Sequence, residues 1–382
     1  MDNFREEFPI INHFVYLDHA GVSPLSLRVK NDVVKFLAEA TGEIGFDYSS
    51  WGDRIEEVRA SSAKLIGANI DEVAFVKNTS HGISIVASGL DWNHGDNVLV
   101  FEKEFSSNIY PWLNLKDQGV EVKFIPLRDE RILFEDIENL TDSRTRLISM
   151  SSVQSVNGFR IDLNRLGQLC KSRGILFFVD AIQSLGAVSM DVKECGADFL
   201  SADGHKWLLA PEGIGIFYCR KELASKIRPN LIGWKSVKND YDFENIELKL
   251  KNDALRFEEG TFNTIGIYAL GAALDLLLEI GVSNIEKKVH ELGDLIISEA
   301  EKRGFLLKTP KNPKERGGII SFAGNFDPKD IAEKLFEKNI VVNYRGGGLR
   351  VSPHFYNTEG DILKLFEALD EILIYKSTAA SK

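Results

Sequence analysis

Short apolar runs alternate with longer amphipathic stretches between about residue 70 and residue 220 of the chain. Seven of these runs predict strands, over residues 72–76, 97–101, 122–127, 146–152, 175–180, 197–202 and 214–219. Several are apolar on both alternating faces, which is typical of a sheet that is covered on both sides. Helical patterns separate the strands, and one of them, residues 162–174, ends in a glycine that is a typical helix stop. The alternation predicts an α/β fold with a mostly parallel, doubly wound sheet.

The pattern changes after about residue 255. A long apolar helix is predicted over residues 264–281 and an amphipathic helix over residues 282–304, followed by a shorter helix and paired strands. This arrangement is typical of a smaller α+β domain. We therefore predict a large domain over residues 16–255 and a small domain formed by residues 1–15 and 256–376.

Composition and charge narrow the class of protein. The 382 residues carry a formal net charge of -11 and no local basic patch, which argues against nucleic-acid binding. The three cysteines, Cys170, Cys195 and Cys219, lie far apart and form no CxxC pair, which argues against a metal site or a disulfide framework. No run approaches about 18 apolar residues, and the first residues are acidic and polar. A cytoplasmic protein with no bound metal and no membrane contact is expected.

Residues capable of chemistry follow the predicted strands. In open α/β sheets, ligands bind outside the carboxyl ends of the strands. Asp180 ends the fifth predicted strand, and Lys206 follows the sixth. Thr79 and Ser80 begin a helix after the first strand, and Phe105 follows the second. An acid, a lysine, a hydroxyl-rich helix start and an aromatic ring are therefore expected at one edge of the sheet.

Each of these residues alone has a structural explanation, but the set predicts a cofactor site. Alone, Asp180 would cap a helix and Lys206 would extend to the surface. A lysine that is partly withdrawn from water loses its proton more easily and can form a Schiff base. A helix N-terminus can hold a phosphate, an aromatic side chain can stack on a flat ring, and a carboxylate can face a pyridine nitrogen. These are the requirements of pyridoxal 5'-phosphate (PLP).

Five sequence motifs support this interpretation. They are, in chain order, YLDHAGVSPLS, FFVDAIQSLGAV, SADGHKWLLAPEGIG, EGTFNT and GLRVSPHFYNTEGDI. With them the chain resembles the class V aminotransferase family of PLP-dependent enzymes, and within it the isopenicillin N epimerase-like and cysteine desulfurase-like proteins. The pattern VDxxQ followed by GHK at the next strand end is specific. The resemblance extends from Tyr16 to about Ile374 and implies the PLP-dependent transferase fold of type I.

The resemblance also implies the contacts to the cofactor. Lys206 would bind PLP covalently and move protons at the substrate α-carbon, and Asp180 would pair with the pyridinium nitrogen. Gln183 would hydrogen-bond the phenolic oxygen, and Phe105 would stack on the ring. Ser155 occupies a position near the ring where related enzymes often carry an asparagine. The phosphate would be held by Thr79, Ser80 and His205.

The substrate and the second subunit are implied in the same way. Arg350 would hold the α-carboxylate of a small-molecule amino acid as a bidentate fork, and His19 and Gly21 would line the substrate pocket. Thr261 matches a position that reaches the phosphate of the other subunit's cofactor, which implies a homodimer with shared active sites. Arg345 has two interpretations, a contact with a second substrate carboxylate or, more commonly for such a residue, a solvated loop position.

Three positions depart from the pattern of cysteine desulfurases and their relatives. Phe105 stands where desulfurases carry a histidine on the ring, and a phenyl ring can stack but cannot transfer protons. Residues 343–350, NYRGGGLR, lack the nucleophilic cysteine that desulfurases place on a mobile loop. Asp203 stands where relatives often have a serine that touches the phosphate. Its carboxylate would repel a phosphate unless it points away, pairs with a cation or is protonated.

The leading hypothesis for function is an aminotransferase that acts at the α-carbon of an amino acid. A C–S lyase or desulfurase-like enzyme and an epimerase remain alternatives, because the same residues support all three reactions. A protein of this fold without catalysis is disfavoured by the intact Lys206, Asp180 and Arg350. A Schiff-base aldolase without cofactor would leave Asp180, Gln183 and the phosphate-binding loop without a role.

Overall fold

The computed structural model describes residues 2–380, with side chains from residue 4 to residue 374. The strands are β1 (Val15–Tyr16), β2 (Val73–Val76), β3 (Asn97–Phe101), β4 (Glu121–Ile125), β5 (Thr145–Ser151), β6 (Leu176–Asp180), β7 (Phe199–Asp203), β8 (Gly215–Cys219), β9 (Leu306–Leu307), β10 (Ile320–Ala323), β11 (Ile340–Val341), β12 (Asn343–Arg345) and β13 (Gly348–Val351). The helices are α1 (Leu27–Ala40), α2 (Tyr48–Ile66), α3 (Thr79–Gly89), α4 (Tyr110–Leu113), α5 (Phe134–Leu140), α6 (Leu163–Arg173), α7 (Lys221–Ala224), α8 (Thr264–Ile280), α9 (Val282–Lys302), α10 (Pro328–Glu337) and α11 (Glu359–Ala380).

Among these residues, a seven-stranded sheet has the strand order β2-β8-β7-β6-β5-β3-β4. β8 runs antiparallel to β2 and β7, and all other neighbours are parallel. Each predicted strand is present within two residues of its predicted bounds, so the predicted α/β fold with a mostly parallel sheet is confirmed. β8 is reversed because residues 204–214, which join it to β7, contain no crossover helix.

Both faces of the central sheet are covered. In β6, Phe177 and Val179 pack in a core with α6 and α8. The intervening Phe178 points to the opposite face and packs in a second core with Ile83 and Trp112. Burial on both faces explains why the strands lack the polar alternation of a half-exposed sheet.

A second sheet is formed by residues after 305. Its four strands have the order β12-β13-β10-β9 in the described chain and are antiparallel. Apolar side chains of α9, α10 and α11 cover it. β1 pairs in parallel with β11, which brings the N-terminal segment to this part of the molecule.

The predicted division into two domains stays a prediction. Its small domain includes residue 1, which lies outside the described residues. The predicted boundary at 255 and 256 precedes α8, whose buried side chains share a core with the central sheet. α8 also packs against α1 and α2.

Within residues 2–380, no single helix is long and apolar enough to cross a membrane. α8 and α9 pass the test of length and composition only when taken together, and they meet at an angle of 79°.

The close approach of α6 to the segment before β7 gives a test of the packing. A Cβ added at Gly167 would lie 1.8 Å from the main-chain oxygen of Cys195, which cannot move without shifting backbone. We expect Gly167→Ala to lower the free energy of unfolding by about 1–3 kcal/mol, measured by chemical denaturation. Gly360→Ala is the matched control, because its Cβ would meet Thr358 Oγ1 at an ordinary 3.6 Å. Equal stability of both variants would contradict the close helix approach.

Candidate active site

Lys206 lies three residues beyond the end of β7, at the carboxyl edge of the central sheet. Its main-chain oxygen accepts a hydrogen bond from Ser23 Oγ at 2.6 Å, so the N-terminal segment fixes its backbone. Its Nζ lies 5.6 Å from the centre of the Phe105 ring. Burial lowers the pKa of Lys206 to about 8, although the negative charge of Asp180 opposes the shift. A lysine in this state holds a substantial fraction of neutral, nucleophilic amine near neutral pH.

Asp180 ends β6, the strand beside β7, and is only 2 % exposed. One carboxylate oxygen accepts a hydrogen bond from the main-chain N–H of Ile182 at 3.1 Å. Burial, together with the nearby carboxyl group of Glu104, raises the pKa of Asp180 to about 7. Such a buried acid is stabilised in its ionised form by a cationic partner, as a protonated pyridine nitrogen would be.

Glu104 is a buried acid for which the sequence predicts no role. Its carboxylate accepts hydrogen bonds from Ser151 N at 2.7 Å, from Ser151 Oγ at 2.5 Å and from Gln154 Nε2 at 3.1 Å. Ser151 is the register partner of Asp180 in the sheet. Glu104 therefore ties the segment that carries Phe105 to the strand beside Asp180. The sequence signal was present, since an acid directly precedes Phe105 after an apolar strand.

The first residues of α3 form the predicted phosphate-binding position. Asn78 caps the helix by accepting a hydrogen bond from the main-chain N–H of His81. Thr79 Oγ1 accepts one from the main-chain N–H of Asp203 at 3.0 Å. Ser80 Oγ donates to Ser107 Oγ at 2.8 Å. The helix N-terminus and these hydroxyls are chemically suited to a phosphate.

Asp203 lies beside His205. Its Oδ2 is 3.1 Å from His205 Nδ1, so the carboxylate faces the imidazole of the histidine that is predicted to bind the phosphate. Its other oxygen, Oδ1, is buried and has no hydrogen-bond partner among the described residues.

Gln183 and Phe105 differ in burial. Gln183 is buried, donates from Nε2 to Ala20 O at 3.1 Å and accepts from Trp207 Nε1 at 2.9 Å. Its amide retains one N–H for a further acceptor. The Phe105 ring is 42 % exposed, and Lys206 Nζ lies over it. An exposed aromatic face beside the lysine is available for stacking.

Arg350 reaches the same edge from β13 of the second sheet. It donates from Nη2 to Asp18 Oδ1 at 3.1 Å and from Nη1 to Ser155 O at 3.0 Å. Its Nε is buried and has no partner among the described side chains and main-chain groups. Gly21 leaves space for this pair, because a Cβ there would lie 2.3 Å from the Asp18 carboxylate. Ser155, predicted near the cofactor ring, is buried and contributes its carbonyl here.

His19 and Thr261 lie differently from the other predicted site residues. His19 is fully buried, and its ring nitrogens contact Ser352 O at 2.8 Å and Tyr356 Oη at 2.7 Å. Burial holds the pKa of His19 well below its ordinary value. Both ring nitrogens are therefore occupied within the protein. Thr261 is exposed and lines a cavity of about 520 Å³ with Tyr48 and Trp234, which does not include Lys206.

The structure therefore brings most of the predicted residues to one edge, between the two sheets. Their chemistry fits PLP, since a buried acid, a lysine with a lowered pKa, a helix N-terminus and an exposed aromatic ring follow the carboxyl ends of strands in the central sheet. The buried Nε of Arg350 is a donor that no described group of the protein satisfies. The individual roles of these residues toward the cofactor remain predictions.

Known proteins resemble the chain over nearly its whole length. Residues 15–365 match the family model for aminotransferase class V. A probable cysteine desulfurase of Methanothermobacter thermautotrophicus is 32% identical, with 97% of this chain and 98% of that protein covered. An uncharacterised aminotransferase of Bacillus subtilis, YcbU, is 30% identical, with 97% of each covered.

A solved structure agrees with these sequence matches. The apo cysteine desulfurase of Thermococcus onnurineus superposes with a TM-score of 0.89 at 28% identity, covering 97% of both chains. Fold type I is thereby confirmed. Because class V is a PLP-dependent family, the predicted cofactor and the prediction of an enzyme are confirmed as well. The chain belongs to the aminotransferase class V family of PLP-dependent enzymes.

Proposed function

We propose that the protein transfers the amino group of a small amino acid, with Lys206 as the single proton-transferring side chain of the site. The observation that carries this proposal is the contact between the Lys206 amine, with a pKa of about 8, and the ring of Phe105. Bound PLP would supply the electron sink for chemistry at the substrate α-carbon. Phenylalanine cannot take up or release a proton, so the lysine is left to do both.

The chain's own residues divide the remaining tasks. Asp180 stabilises a positive charge beside it, such as that of a protonated pyridine nitrogen, because a buried carboxylate and a cation attract each other. Arg350 offers its unpartnered Nε–H to the substrate α-carboxylate, while Asp18 and Ser155 keep the guanidinium in place. Lys206 accepts a proton from the α-carbon and returns it to a different atom, which is what amino transfer requires. An epimerase with a base on each face is disfavoured by Phe105.

A C–S lyase is the second candidate, because relatives named as cysteine desulfurases match 97% of the chain. Sulfur would have to leave directly to solvent. The cysteines, Cys170, Cys195 and Cys219, are all buried, and burial raises the pKa of each thiol. Residues 343–350 contain no cysteine. A protein-bound persulfide is therefore not expected in either reaction.

We also propose a homodimer with shared active sites. Two segments with exposed apolar side chains, residues 44–48 and 241–248, contribute Tyr48 and Tyr241 to the lining of the cavity beside Thr261, and an exposed apolar patch is typical of an interface. This surface comprises Ile44, Phe46, Tyr48, Tyr241, Phe243, Ile246 and Leu248, of which Ile246 is 95% exposed. We propose that Thr261 reaches the cofactor of a second subunit that covers this surface. A cytoplasmic location is proposed because the three cysteines are unpaired.

The first prediction concerns Lys206 and the reaction type. We expect purified protein with PLP to show a visible absorbance band that Lys206→Ala abolishes and exposed Lys226→Ala retains. When a panel of amino acids is tested with a 2-oxo acid acceptor, amino transfer should form one new 2-oxo acid for each acceptor molecule that gains an amino group. Pyruvate and sulfide from cysteine without an acceptor would instead support the lyase. A persulfide found on the protein by mass spectrometry would contradict both candidates.

The second prediction concerns the ionisation of Lys206. Because its pKa is lowered to about 8, its amine should lose the proton as the pH rises through that value. Acylation of cofactor-free protein, mapped by peptide mass spectrometry, should be half-maximal near pH 8 at Lys206 and above about pH 10 at exposed lysines. Asp180→Asn removes a negative charge that favours the protonated amine, so the midpoint should move to lower pH. A midpoint above pH 10 in the unmodified chain would refute the site's electrostatics.

The third prediction concerns the dimer. We expect light scattering to give twice the mass of the chain and Phe243→Glu to reduce it to a monomer with less than about a tenth of the activity. The reason is that a buried, unpaired carboxylate destabilises an apolar interface. Glu222→Gln, an exposed change elsewhere, serves as the control. A fully active monomer would rule out shared sites.

A further inference from the structure

The tip of the β12–β13 hairpin is rigidly placed. Arg345 ends β12 and pairs with Gly348 across the turn. The two turn residues, Gly346 and Gly347, have φ of 57° and 74°, which a two-residue hairpin turn requires and glycine adopts without strain. A Cβ on Gly346 would lie 2.4 Å from Val156 Cγ1, so the tip packs against the loop after β5. The position of Arg345 is therefore set by the fold and not by a free loop.

Arg345 lies over the same aromatic ring as the lysine. Its Cζ is 5.4 Å from the centre of the Phe105 ring, and Lys206 Nζ is 5.6 Å from that centre. Its side chain is half-buried. Arg345 therefore ends a strand and is only partly solvated, with its guanidinium over the Phe105 ring beside Lys206.

Arg345 differs from the other cations of the site in having no acid of its own. Arg350 is paired with Asp18 at 3.1 Å, and Lys206 has Asp180 nearby. No carboxylate among the described side chains lies within 4 Å of Arg345. Its positive charge also helps to lower the pKa of both Lys206 and Arg350, so the three cations repel one another. An anion between them would relieve this repulsion.

The anion that Arg345 binds has to be a group for which no other residue of the site is already proposed. The predicted phosphate position is at the start of α3, on the central sheet. The α-carboxylate is assigned to Arg350, whose Nε is free. Arg345 is on the same hairpin as Arg350, which places it on the substrate side. The remaining anionic group is one on the side chain of the substrate.

We propose that Arg345 binds a second carboxylate of the substrate, so that the site takes dicarboxylic amino acids of the aspartate or glutamate class. The inference rests on the proposed amino transfer and names its substrate. Arg345 offers a planar fork suited to a carboxylate, and the aromatic ring beneath it keeps the guanidinium flat and partly desolvated. Neutral amino acids would leave this cation without a counter-charge.

The test uses the holoenzyme and ligands that cannot react. Succinate and glutarate carry two carboxylates and no amine, and butyrate carries one carboxylate. By titration calorimetry we expect succinate or glutarate to bind at least about 10-fold more tightly than butyrate. Arg345→Gln should remove about 10- to 100-fold of that affinity, the effect of one lost charge-assisted hydrogen bond. Arg345→Lys should lose part of it, because the charge stays and the fork is lost.

The control variant is Arg144→Gln, which makes the same charge change at an exposed position. It should leave the affinity for succinate within about 2-fold of the unmodified enzyme. Equal affinity for succinate and butyrate in the unmodified enzyme, or unchanged succinate binding in Arg345→Gln, would overturn the proposal.

Kinetics distinguish a binding role of Arg345 from a structural one, and this proposal from the proposed function. We expect Arg345→Gln to lower the ratio of kcat/KM for glutamate or aspartate to that for alanine by about 10- to 100-fold. If Arg345 only holds Phe105 in place, all substrates would fall together and this ratio would not change. If succinate binding depends on Arg345 but no amino acid donates its amino group, the proposed amino transfer is refuted and the dicarboxylate site is not. Amino transfer with an unchanged ratio would refute the dicarboxylate proposal alone.

Discussion

The withdrawal of the Lys206 amine from water is the constraint on which the site depends. An exposed lysine would stay protonated and would not act as a nucleophile near neutral pH. Burial disfavours the protonated amine and lowers its pKa, while the negative charge of Asp180 favours the protonated amine. The pKa is therefore about 8 and does not fall further. The pKa of Asp180 shifts in the opposite direction: burial and the charge of Glu104 raise it to about 7, although the charge of Lys206 opposes this shift. Lys206 and Asp180, which follow neighbouring strands, thus each oppose the pKa shift that burial imposes on the other.

The N-terminal segment couples this edge to the second sheet. β1 pairs with β11, and the residues that follow run between the two sheets. Asp18 pairs with Arg350, and Ser23 holds the main chain of Lys206. His19, in the same segment, has both ring nitrogens bonded inside the protein. The motif of this segment was recognisable in the sequence, and the role of His19 in the substrate pocket stays a prediction.

The sequence is sufficient to predict the central sheet and the edge of that sheet at which the candidate site lies. Runs such as residues 175–180 are apolar on both faces because cores lie on both sides of the sheet, and the strand ends follow directly from them. What the sequence lacks is the information carried by contacts between distant segments. The link from Glu104 to Ser151 and the position of Arg345 on Phe105 are of this kind.

The two sheets contribute different parts of the reaction. The central sheet supplies Lys206, Asp180 and the start of α3, which are predicted to face the cofactor. The second sheet supplies Arg345 and Arg350 from one hairpin, on the side assigned to the anionic ends of the substrate. No residue of that hairpin hydrogen-bonds Lys206 or Asp180 within the described chain, but the positive charges of Arg345 and Arg350 both help to lower the pKa of Lys206. The hairpin and the lysine are therefore coupled through charge. In the proposed function, the second sheet selects the substrate and, by the same two charges, helps to keep the Lys206 amine available for proton transfer.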